Sequence, residues 1–543
     1  MNFSAKSFQQ NPMREGLPPD IHPVAILQGS DYEMGFQYGA FAGQMVVKRR
    51  DKVLAALTQK MSPEEIEKGT KAIQYYIKKY APECVDQIKG IADGATASGH
   101  NISYENVLLL NSTLPNPKNT PYPEVAENEI LPKSCSVFSA WGTATKNGQL
   151  IGMDTHDIGD ALYQLIVVAY PDDGNNYMCG SSAGEVGNHF LINNKGLFIG
   201  NSGGGGSPRS IDTSYGISWS CSLPHIARYA NTADEAKDLV MNMKIDIPEN
   251  FHFVDVNGNA YVIEKTSAIQ SVRVPGNFGE RDFLFSTNNY LNEDMKVTKN
   301  GDFYGKHGGY GGATSMPRNQ LLWDMLNNYH GEITADFAKM ITRFPGKGPP
   351  YPPEKGWETK ILRPSNSRVS VVLPDNGDNG LAYICTGPAG KVIPATVDRR
   401  GGLSIDSYID STKTFFRLRL AASPKNVAEK AKRDAKEDIG IAYSKLMYLD
   451  YSYLGYADLK ELYSLSNKEY YHGSSCLNKA ILTSSRESLL QFSEATTAFT
   501  RSQSHAKQVY EVLVPPATSP IDLKLKQFGT SVNVWETKYS LEK

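Results

Sequence analysis

The sequence has few cysteines, and they are scattered along the chain. Six occur in 543 residues, and no two of them form a Cys-x-x-Cys pair. A disulfide scaffold needs densely spaced cysteines, and structural zinc sites commonly use such pairs. The sequence therefore predicts neither kind of site, and metal ions and cofactors are not expected. Five of the six are expected to be small buried apolar residues: Cys84, Cys179, Cys221, Cys385 and Cys476.

The sequence also lacks an excess of charge and any long apolar run. Lys and Arg total 56 against 58 Asp and Glu, so a net charge of -2 gives no bulk attraction for nucleic acid. The longest mostly apolar run, 161–170, is about half of the roughly 20 residues that a membrane-spanning helix needs. The start of the sequence has no apolar signal core. We expect no nucleic-acid partner, no membrane span, and a cytoplasmic location or export with the signal already removed.

Hydrophobic periodicity divides the chain into three parts. Residues 31–114 have helical spacing and are followed by a Pro- and Asn-rich stretch at 114–132. Short strand-length runs broken by Gly, Asn and Asp begin at Cys135. Beyond Arg400 the sequence is charged, amphipathic and rich in tyrosine. These patterns predict an α+β protein with a helical segment at 1–134, a sheet-rich core at 135–400 and a helical extension at 401–543.

Cys135 differs from the other cysteines because it stands between a predicted loop and the first strand of the core. Cleavage between Ser134 and Cys135 would leave Cys135 with both a thiol and a free α-amine. An α-amine has a pKa of about 7.7 to 8.0, against about 10.4 for lysine, so it can act as a base near neutral pH. The nucleophile and its base would then share one residue, and no histidine would be needed.

Nine segments of the sequence, taken in order, carry a family resemblance. They are GSDYEMGFQYG (29–39), IKGIADGA (88–95), ISYENVLLLN (102–111), the segment 134–154 around Cys135, NNKGLFIGN (193–201), ENFHFVDVNGNAYVIEKT (249–266), FSTNNYL (285–291), SMPRNQLLWDML (315–326) and SRVSVVLPD (367–375). Together they resemble the isopenicillin N acyltransferase family of self-processing N-terminal-nucleophile hydrolases, with bile salt hydrolase and penicillin V acylase as more distant relatives. The resemblance extends from about Leu27 to Thr396.

This resemblance implies a fold and a reaction. The fold would be a four-layer αββα sandwich, made as an inactive precursor that cleaves itself between Ser134 and Cys135. The mature enzyme would hydrolyse or transfer the acyl group of an amide-linked small molecule or short peptide through an acyl-Cys135 intermediate. No counterpart in the family is evident for the helical extension, which could line a pocket, cover it or form a contact between copies of the chain.

The resemblance also implies roles for single residues. Cys135 matches the nucleophile, and Asp154 matches the carboxylate that orients the new α-amine. Asn288 matches the amide that stabilises the oxyanion, and Arg368 matches an arginine near the nucleophile. The match is incomplete in two places, since the family shows Gly-x-Asn-x-Asp where this chain has GMDTHD (152–157), and Thr-Asn-His where it has Thr-Asn-Asn (287–289).

Three further residues are candidates for the same site. Asp157 competes with Asp154 for the role of the orienting carboxylate because both lie in GMDTHD. Asn201, at the end of a predicted strand, is a second oxyanion donor candidate. Arg318, on a predicted helix, is a pocket candidate for which a purely structural role is the alternative interpretation.

Other functions fit parts of the sequence. Two Gly-x-Ser-x-Gly matches, at 180–184 and 200–204, are typical of serine esterases. In that class the His-Gly-Gly oxyanion motif precedes the serine, whereas the only His-Gly-Gly in this sequence, at 307–309, follows both serines. His156 beside two aspartates lacks the second histidine pair expected of a metal site. The remaining alternatives are a phospholipase B-like lipid amidase or hydrolase, and a catalytically silent binding module whose tyrosine-rich C-terminal part docks a partner.

Overall fold

The computed structural model of the chain describes residues 22–59, 61–114, 135–158, 163–204, 215–296, 312–343, 361, 366–377, 379–392, 409–412, 415–447, 449, 456–482 and 486–512. Its internal contacts divide the chain into two units, Met1–Ala421 and Ala422–Lys543. The candidate site residues all belong to the first unit.

Two sheets form the centre of the first unit. The strands are β1 (Val24–Gly29), β2 (Ser136–Gly142), β3 (Gly148–His156), β4 (Gln164–Pro171), β5 (Tyr177–Ser182), β6 (Asn188–Asn193), β7 (Leu197–Gly203), β8 (Glu249–Asp255), β9 (Ala260–Lys265), β10 (Gln270–Arg273), β11 (Phe283–Ser286), β12 (Arg368–Leu373), β13 (Gly380–Thr386), β14 (Gly390–Val392), β15 (Ile409–Thr412) and β16 (Phe416–Leu420). One sheet has the order β1-β4-β5-β6-β7-β8-β9-β10 and the other β11-β2-β3-β12-β13-β16, while β14 and β15 pair separately.

Helices cover the outer faces of both sheets. Those of the first unit are α1 (Asp31–Thr58), α2 (Pro63–Tyr80), α3 (Glu83–Ala97), α4 (Tyr104–Leu110), α5 (Trp219–Tyr229), α6 (Ala233–Asn242), α7 (Glu293–Lys296), α8 (Gly312–Asn328) and α9 (Ala335–Thr342). The serine before α1 and the serine before α2 each form a capping box with the glutamate three residues later, which fixes where these helices begin.

Three separate apolar cores establish the layers. One lies between the eight-stranded sheet and helices α1 to α6, and includes Ile88 and Ile199. A second, which includes Val137 and Phe198, joins residues of both sheets. A third joins the outer face of the six-stranded sheet to α8 and α9 through residues such as Leu322. The three cores lie between helices and sheet, between the two sheets, and between sheet and helices. The unit is therefore an αββα sandwich, and the predicted α+β fold class is confirmed.

Close helix packing explains the glycines in two of the nine segments that carry the family resemblance. A Cβ at Gly35 of α1 would lie 2.1 Å from the carbonyl oxygen of Gln87, and one at Gly90 of α3 would lie 2.2 Å from that of Tyr32. Both distances are far shorter than a van der Waals contact. The sequences GSDYEMGFQYG and IKGIADGA therefore let α1 and α3 pack backbone against backbone.

The described part of the chain before Cys135, within 22–114, is built into the sandwich. Strand β1 pairs with β4 in parallel along its whole length, and the hydroxyl of Tyr38 lies 2.9 Å from that of Ser181. At the other end, β16 pairs with β13 and so extends the six-stranded sheet to Leu420. The first unit therefore ends later than the predicted boundary at residue 400.

The second unit consists of α10 (Pro424–Met447), α11 (Tyr456–Leu482) and α12 (Arg486–Val512). Ser466 and Ser502 exchange hydrogen bonds with each other's carbonyl oxygens at 2.7 and 2.8 Å, which joins α11 to α12 where both side chains are small. Apolar residues such as Leu477 and Phe499 fill the space between the helices. Among the described helices of the chain, none has both the length and the apolar character needed to cross a membrane.

Candidate active site

Cys135 lies directly before β2, the second strand of the six-stranded sheet. Strand β2 pairs with β3 on one side, where Val137 is opposite Asp154, and with β11 on the other, where Val137 is opposite Ser286. The sheet thus brings Asp154 and the residues that follow β11 to either side of Cys135. The cysteine is only 7% exposed. Ser134, the predicted cleavage partner, lies outside the described residues.

Asn288 holds the backbone nitrogen of Cys135. That nitrogen donates to Oδ1 of Asn288 at 2.6 Å. The loop carrying Asn288 is itself fixed, because the Asn250 amide and the Ser202 hydroxyl donate to the carbonyl oxygen of Thr287 at 2.7 and 2.9 Å. Asn288 therefore has a defined position beside the predicted nucleophile.

The amide nitrogen of Asn288 is the group with catalytic potential. Among the described residues it donates one hydrogen bond, to the carbonyl oxygen of Gly203 at 3.2 Å. A primary amide carries two N–H groups. The second is therefore available to a developing oxyanion, which is the role that the family resemblance implies for this residue.

Arg318 connects Cys135 to Asn288. This fully buried side chain of α8 donates to the carbonyl oxygen of Cys135 and, at 2.7 Å, to the Ser136 hydroxyl. Its other terminal nitrogen donates to Oδ1 of Asn288 at 3.0 Å and to the Ser315 hydroxyl at 3.1 Å. Arg318 is thus much closer to the predicted nucleophile than its position on a helix indicated, and it fixes the backbone on the carboxyl side of the thiol.

Asp154 has a partner that the sequence analysis missed. Nδ1 of His189 lies 3.1 Å from Oδ1 of the buried Asp154, and the His189 ring stacks on His156 at 4.0 Å. His189 and Phe190 have φ angles of 37° and 46°, which are unusual for residues other than glycine. Such conformations persist where the surroundings hold them, and they often occur at functional sites. No spacing in the sequence links His189 to Asp154, since β3 and β6 meet only across the sandwich.

The thiol of Cys135 is held in its protonated form. Burial raises its pKa well above the ordinary value, and the negative charges of Asp157 and Asp154 raise it further. A hydrogen bond from the backbone of Asp157 acts in the opposite direction. Both competing carboxylates therefore lie near the thiol, and Asp157 also accepts a hydrogen bond from Asn366. In this arrangement the cysteine needs a base before it can act as a nucleophile.

Arg368 belongs to a neighbouring polar cluster. It is buried on β12, opposite His156 of β3, and its guanidinium donates to Gln164 and Asn188 at 2.8 Å each. Burial lowers its pKa to about 10. Its side-chain hydrogen bonds to Gln164 and Asn188 thus go to the eight-stranded sheet, and its interaction with Cys135 is one of charge.

Asn201 lies on the other face of its strand from the site. Along β7, Phe198 faces the second sheet and Ile199 faces the helices. Alternation places Asn201 on the helix side, where its amide nitrogen donates to the buried Glu249 at 3.4 Å. Burial raises the pKa of Glu249 well above its ordinary value. The geometry gives Asn201 no contact with Cys135.

The serines of the two esterase-type matches lie within strands. Ser182 is the last residue of β5 and accepts hydrogen bonds from Gln164 at 2.9 Å and Asn188 at 3.1 Å, and Ser202 is inside β7. A serine esterase instead places its nucleophile on a sharp turn from a strand into a helix. These two serines therefore serve the hydrogen bonding of the sandwich.

Comparisons with known proteins give matches at low identity. No protein-family model matches the chain. An uncharacterised protein of Archaeoglobus fulgidus is 28% identical over 264 residues, which cover 45% of this chain and 42% of that protein. The chain thus spans about two fifths of the length of this curated relative.

Several solved structures align with the chain at low TM-scores. An N-acylethanolamine-hydrolyzing acid amidase ortholog of Caenorhabditis elegans is 13% identical, with 44% of this chain and 93% of that one covered and a TM-score of 0.30. A mutant of the conjugated bile acid hydrolase from Clostridium perfringens is 15% identical, with 53% and 98% covered and a TM-score of 0.31. Penicillin V acylase from Agrobacterium tumefaciens is 13% identical, with 46% and 82% covered and a TM-score of 0.31.

Proposed function

We propose that the chain is a cysteine N-terminal-nucleophile amidohydrolase that activates itself by cleaving the bond before Cys135. The observation that carries this proposal is the fixation of Cys135 on both sides of its thiol, with the nitrogen bound by Asn288 at 2.6 Å and the carbonyl oxygen bound by Arg318. A cysteine that only fills space in a core needs neither contact. A nucleophile that must meet one particular carbonyl group needs both.

Self-cleavage proceeds in two steps. The Cys135 thiol attacks the carbonyl carbon of Ser134 and transfers its proton to the departing nitrogen, so that a thioester forms as the peptide C–N bond breaks. Water then hydrolyses the thioester, which leaves a carboxylate on Ser134 and returns the thiol of Cys135. The products are 1–134 and 135–543, and the second begins with a free α-amine.

The mature reaction uses the same thiol with the new α-amine as its base. The amine removes the thiol proton, and the sulfur attacks a substrate amide. The second N–H of Asn288 stabilises the oxyanion, a contribution of about 2.7 to 4 kcal/mol for one such donor. The protonated amine then gives its proton to the leaving nitrogen, and water releases the acyl group from Cys135.

The carboxylates near the thiol orient the amine. Asp154 is fixed by its 3.1 Å contact with His189, while Asp157 accepts from Asn366. An ammonium group formed on Cys135 would lie between buried negative charges, which stabilises it during the reaction. We assign the main orienting role to Asp154 because its strand pairs directly with β2.

The substrate class is an N-acylated small molecule or short peptide. Water is the simplest acceptor for the acyl group, and an amine acceptor would make the same intermediate an acyltransferase. A panel of N-acyl amino acids tested beside phospholipids distinguishes an amidase of this kind from a phospholipase B-like hydrolase. Release of free amine from the first set supports the proposal, and release of fatty acid from phospholipids alone contradicts it.

Intact-mass analysis of the purified full chain tests the central step. We expect two fragments that meet at Ser134 and Cys135 in the parent, and a single uncut chain in Cys135→Ala. Cys385→Ala is the matched control, because it removes another fully buried cysteine of the same unit and should leave cleavage unchanged. An uncut parent that nevertheless hydrolyses amides would refute the proposal.

A further inference from the structure

The second unit contains a cluster of ligand-type side chains that the proposed reaction does not use. His472 and Cys476 are four residues apart on α11 and therefore lie one helical turn apart on the same face. Glu494 reaches the same place from α12. One ligand atom of each, the imidazole nitrogen, the sulfur and a carboxylate oxygen, lies within 4.8 Å of the other two.

The distances in this cluster fit a tetrahedral zinc site. Zinc binds histidine nitrogen at about 2.0 Å, cysteine sulfur at about 2.3 Å and carboxylate oxygen at about 2.0 to 2.2 Å. Tetrahedral angles then separate sulfur from nitrogen by about 3.5 Å and nitrogen from oxygen by about 3.3 Å. Cys476 Sγ lies 3.8 Å from Nε2 of His472, and that nitrogen lies 3.4 Å from Oε1 of Glu494. Small side-chain adjustments would let one ion contact all three atoms.

The type and burial of the ligands agree with this geometry. A set of one nitrogen, one sulfur and one oxygen ligand suits zinc better than magnesium or calcium, which prefer oxygen alone. Cys476 is 2% exposed, whereas the side chains of His472 and Glu494 are 53% and 51% exposed. The sulfur thus anchors the site from within the helix pair, and the other two ligands face an accessible side.

A cavity lies on the accessible side. It has a volume of about 340 Å³, and His472, Glu494 and Arg501 are among the residues that line it. It leaves room for a fourth ligand that does not come from the chain. The positive charge of Arg501 opposes a bare cation but favours an anion, such as hydroxide or a carboxylate, in that fourth position.

We propose that His472, Cys476 and Glu494 bind one Zn²⁺ ion, with the fourth coordination position open to the cavity. The ion links α11 to α12 through side chains of both helices. Because zinc binds the thiolate, binding releases the thiol proton of Cys476 and becomes weaker as the pH falls.

Metal binding to the purified full-length chain tests the proposal. We expect one equivalent of Zn²⁺ by equilibrium dialysis after treatment with a chelator, and a thiolate-to-metal charge-transfer band when Co²⁺ is added instead. Cys476→Ser should abolish the band. His472→Gln and Glu494→Gln change half-exposed side chains, so both should fold, and each should weaken Zn²⁺ binding by at least about 100-fold, since even outer partners of a ligand contribute 10- to 100-fold.

Two control variants separate this site from other binding. Cys385→Ser removes a buried cysteine of the first unit, and Glu461→Gln removes an exposed carboxylate of α11. Both should bind Zn²⁺ and Co²⁺ like the parent. Failure of the parent to bind one equivalent, or a cobalt–thiolate band that persists in Cys476→Ser, would overturn the proposal.

Discussion

Replacing Asn288 by aspartate removes the amide nitrogen, keeps an oxygen acceptor in the same place and adds one negative charge. The carbonyl oxygen of Asn288 accepts from Cys135 at 2.6 Å and from Arg318 at 3.0 Å, and an aspartate oxygen keeps both contacts. The nitrogen, which donates to Gly203 at 3.2 Å and has a second N–H for an oxyanion, is lost. Asn288→Asp therefore preserves the position of Cys135 while it removes the proposed oxyanion donor.

The two effects of this substitution differ in size. Loss of the hydrogen bond to Gly203 lowers the free energy of unfolding by about 0.5 to 1.5 kcal/mol, and the new negative charge is paired with Arg318. Loss of an oxyanion donor raises the reaction barrier by about 2.7 to 4 kcal/mol, or about 10²- to 10³-fold in rate. We therefore expect a folded protein whose self-cleavage and amide turnover are both slowed by that factor.

The first-order rate at which the two fragments appear, followed by intact mass, measures this effect without a known substrate. Asn277→Asp is the matched control, since that exposed asparagine also accepts a backbone hydrogen bond, at 2.7 Å, and lies in another loop. Urea unfolding of both variants checks that stability is preserved. Cleavage of Asn288→Asp at the parent rate would show that the amide nitrogen is not the oxyanion donor.

Three further predictions concern stability and assembly. A Cβ at Gly180 would lie 2.0 Å from the guanidinium carbon of Arg368, so Gly180→Ala should lower the free energy of unfolding by about 1 to 3 kcal/mol in urea titrations. Gly440 has open space around it, and Gly440→Ala should raise the free energy of unfolding by up to about 1 kcal/mol. Equal effects of the two substitutions would contradict the packing described. Burial raises the pKa of Asp246 to about 7, so between pH 4 and 7 the folded chain retains a proton that the unfolded chain releases, and stability falls as the pH rises. Asp246→Asn should therefore stabilise the protein more at pH 8 than at pH 4. A difference in stability between variant and parent that does not depend on pH would refute the assignment. After self-cleavage the two fragments should co-elute in size-exclusion chromatography, because β1 remains paired with β4, and separate elution under native conditions would contradict this.

Local patterns were sufficient to predict much of the first unit. The strand-length runs after Cys135 correspond to β2, β3 and the strands that follow. These features depend on neighbours in the sequence. Alternation, turn residues and helix caps act over a few positions, so the sequence shows them directly.

The identity of the contacts around Cys135 depended on pairings that no local pattern contains. The structure brings Asp154, on β3, and Asn288, in the loop after β11, close to Cys135, while the catalytic roles implied for them remain predictions. The contact of Arg318 with Cys135 arises because α8 packs on the outer face of the same sheet. The partner of Asp154, His189, comes from the other sheet.

The sequence by itself determined most of the element types and the cysteine that stands at the start of a strand. The tertiary structure alone decided that 22–114 is part of the sandwich, that Asn201 faces the helices and that His472, Cys476 and Glu494 meet. The physical reason is the separation along the sequence between the residues that interact. Helix and strand patterns are set by residues a few positions apart, whereas a site is assembled by sheet registers and helix packing that join residues hundreds of positions apart.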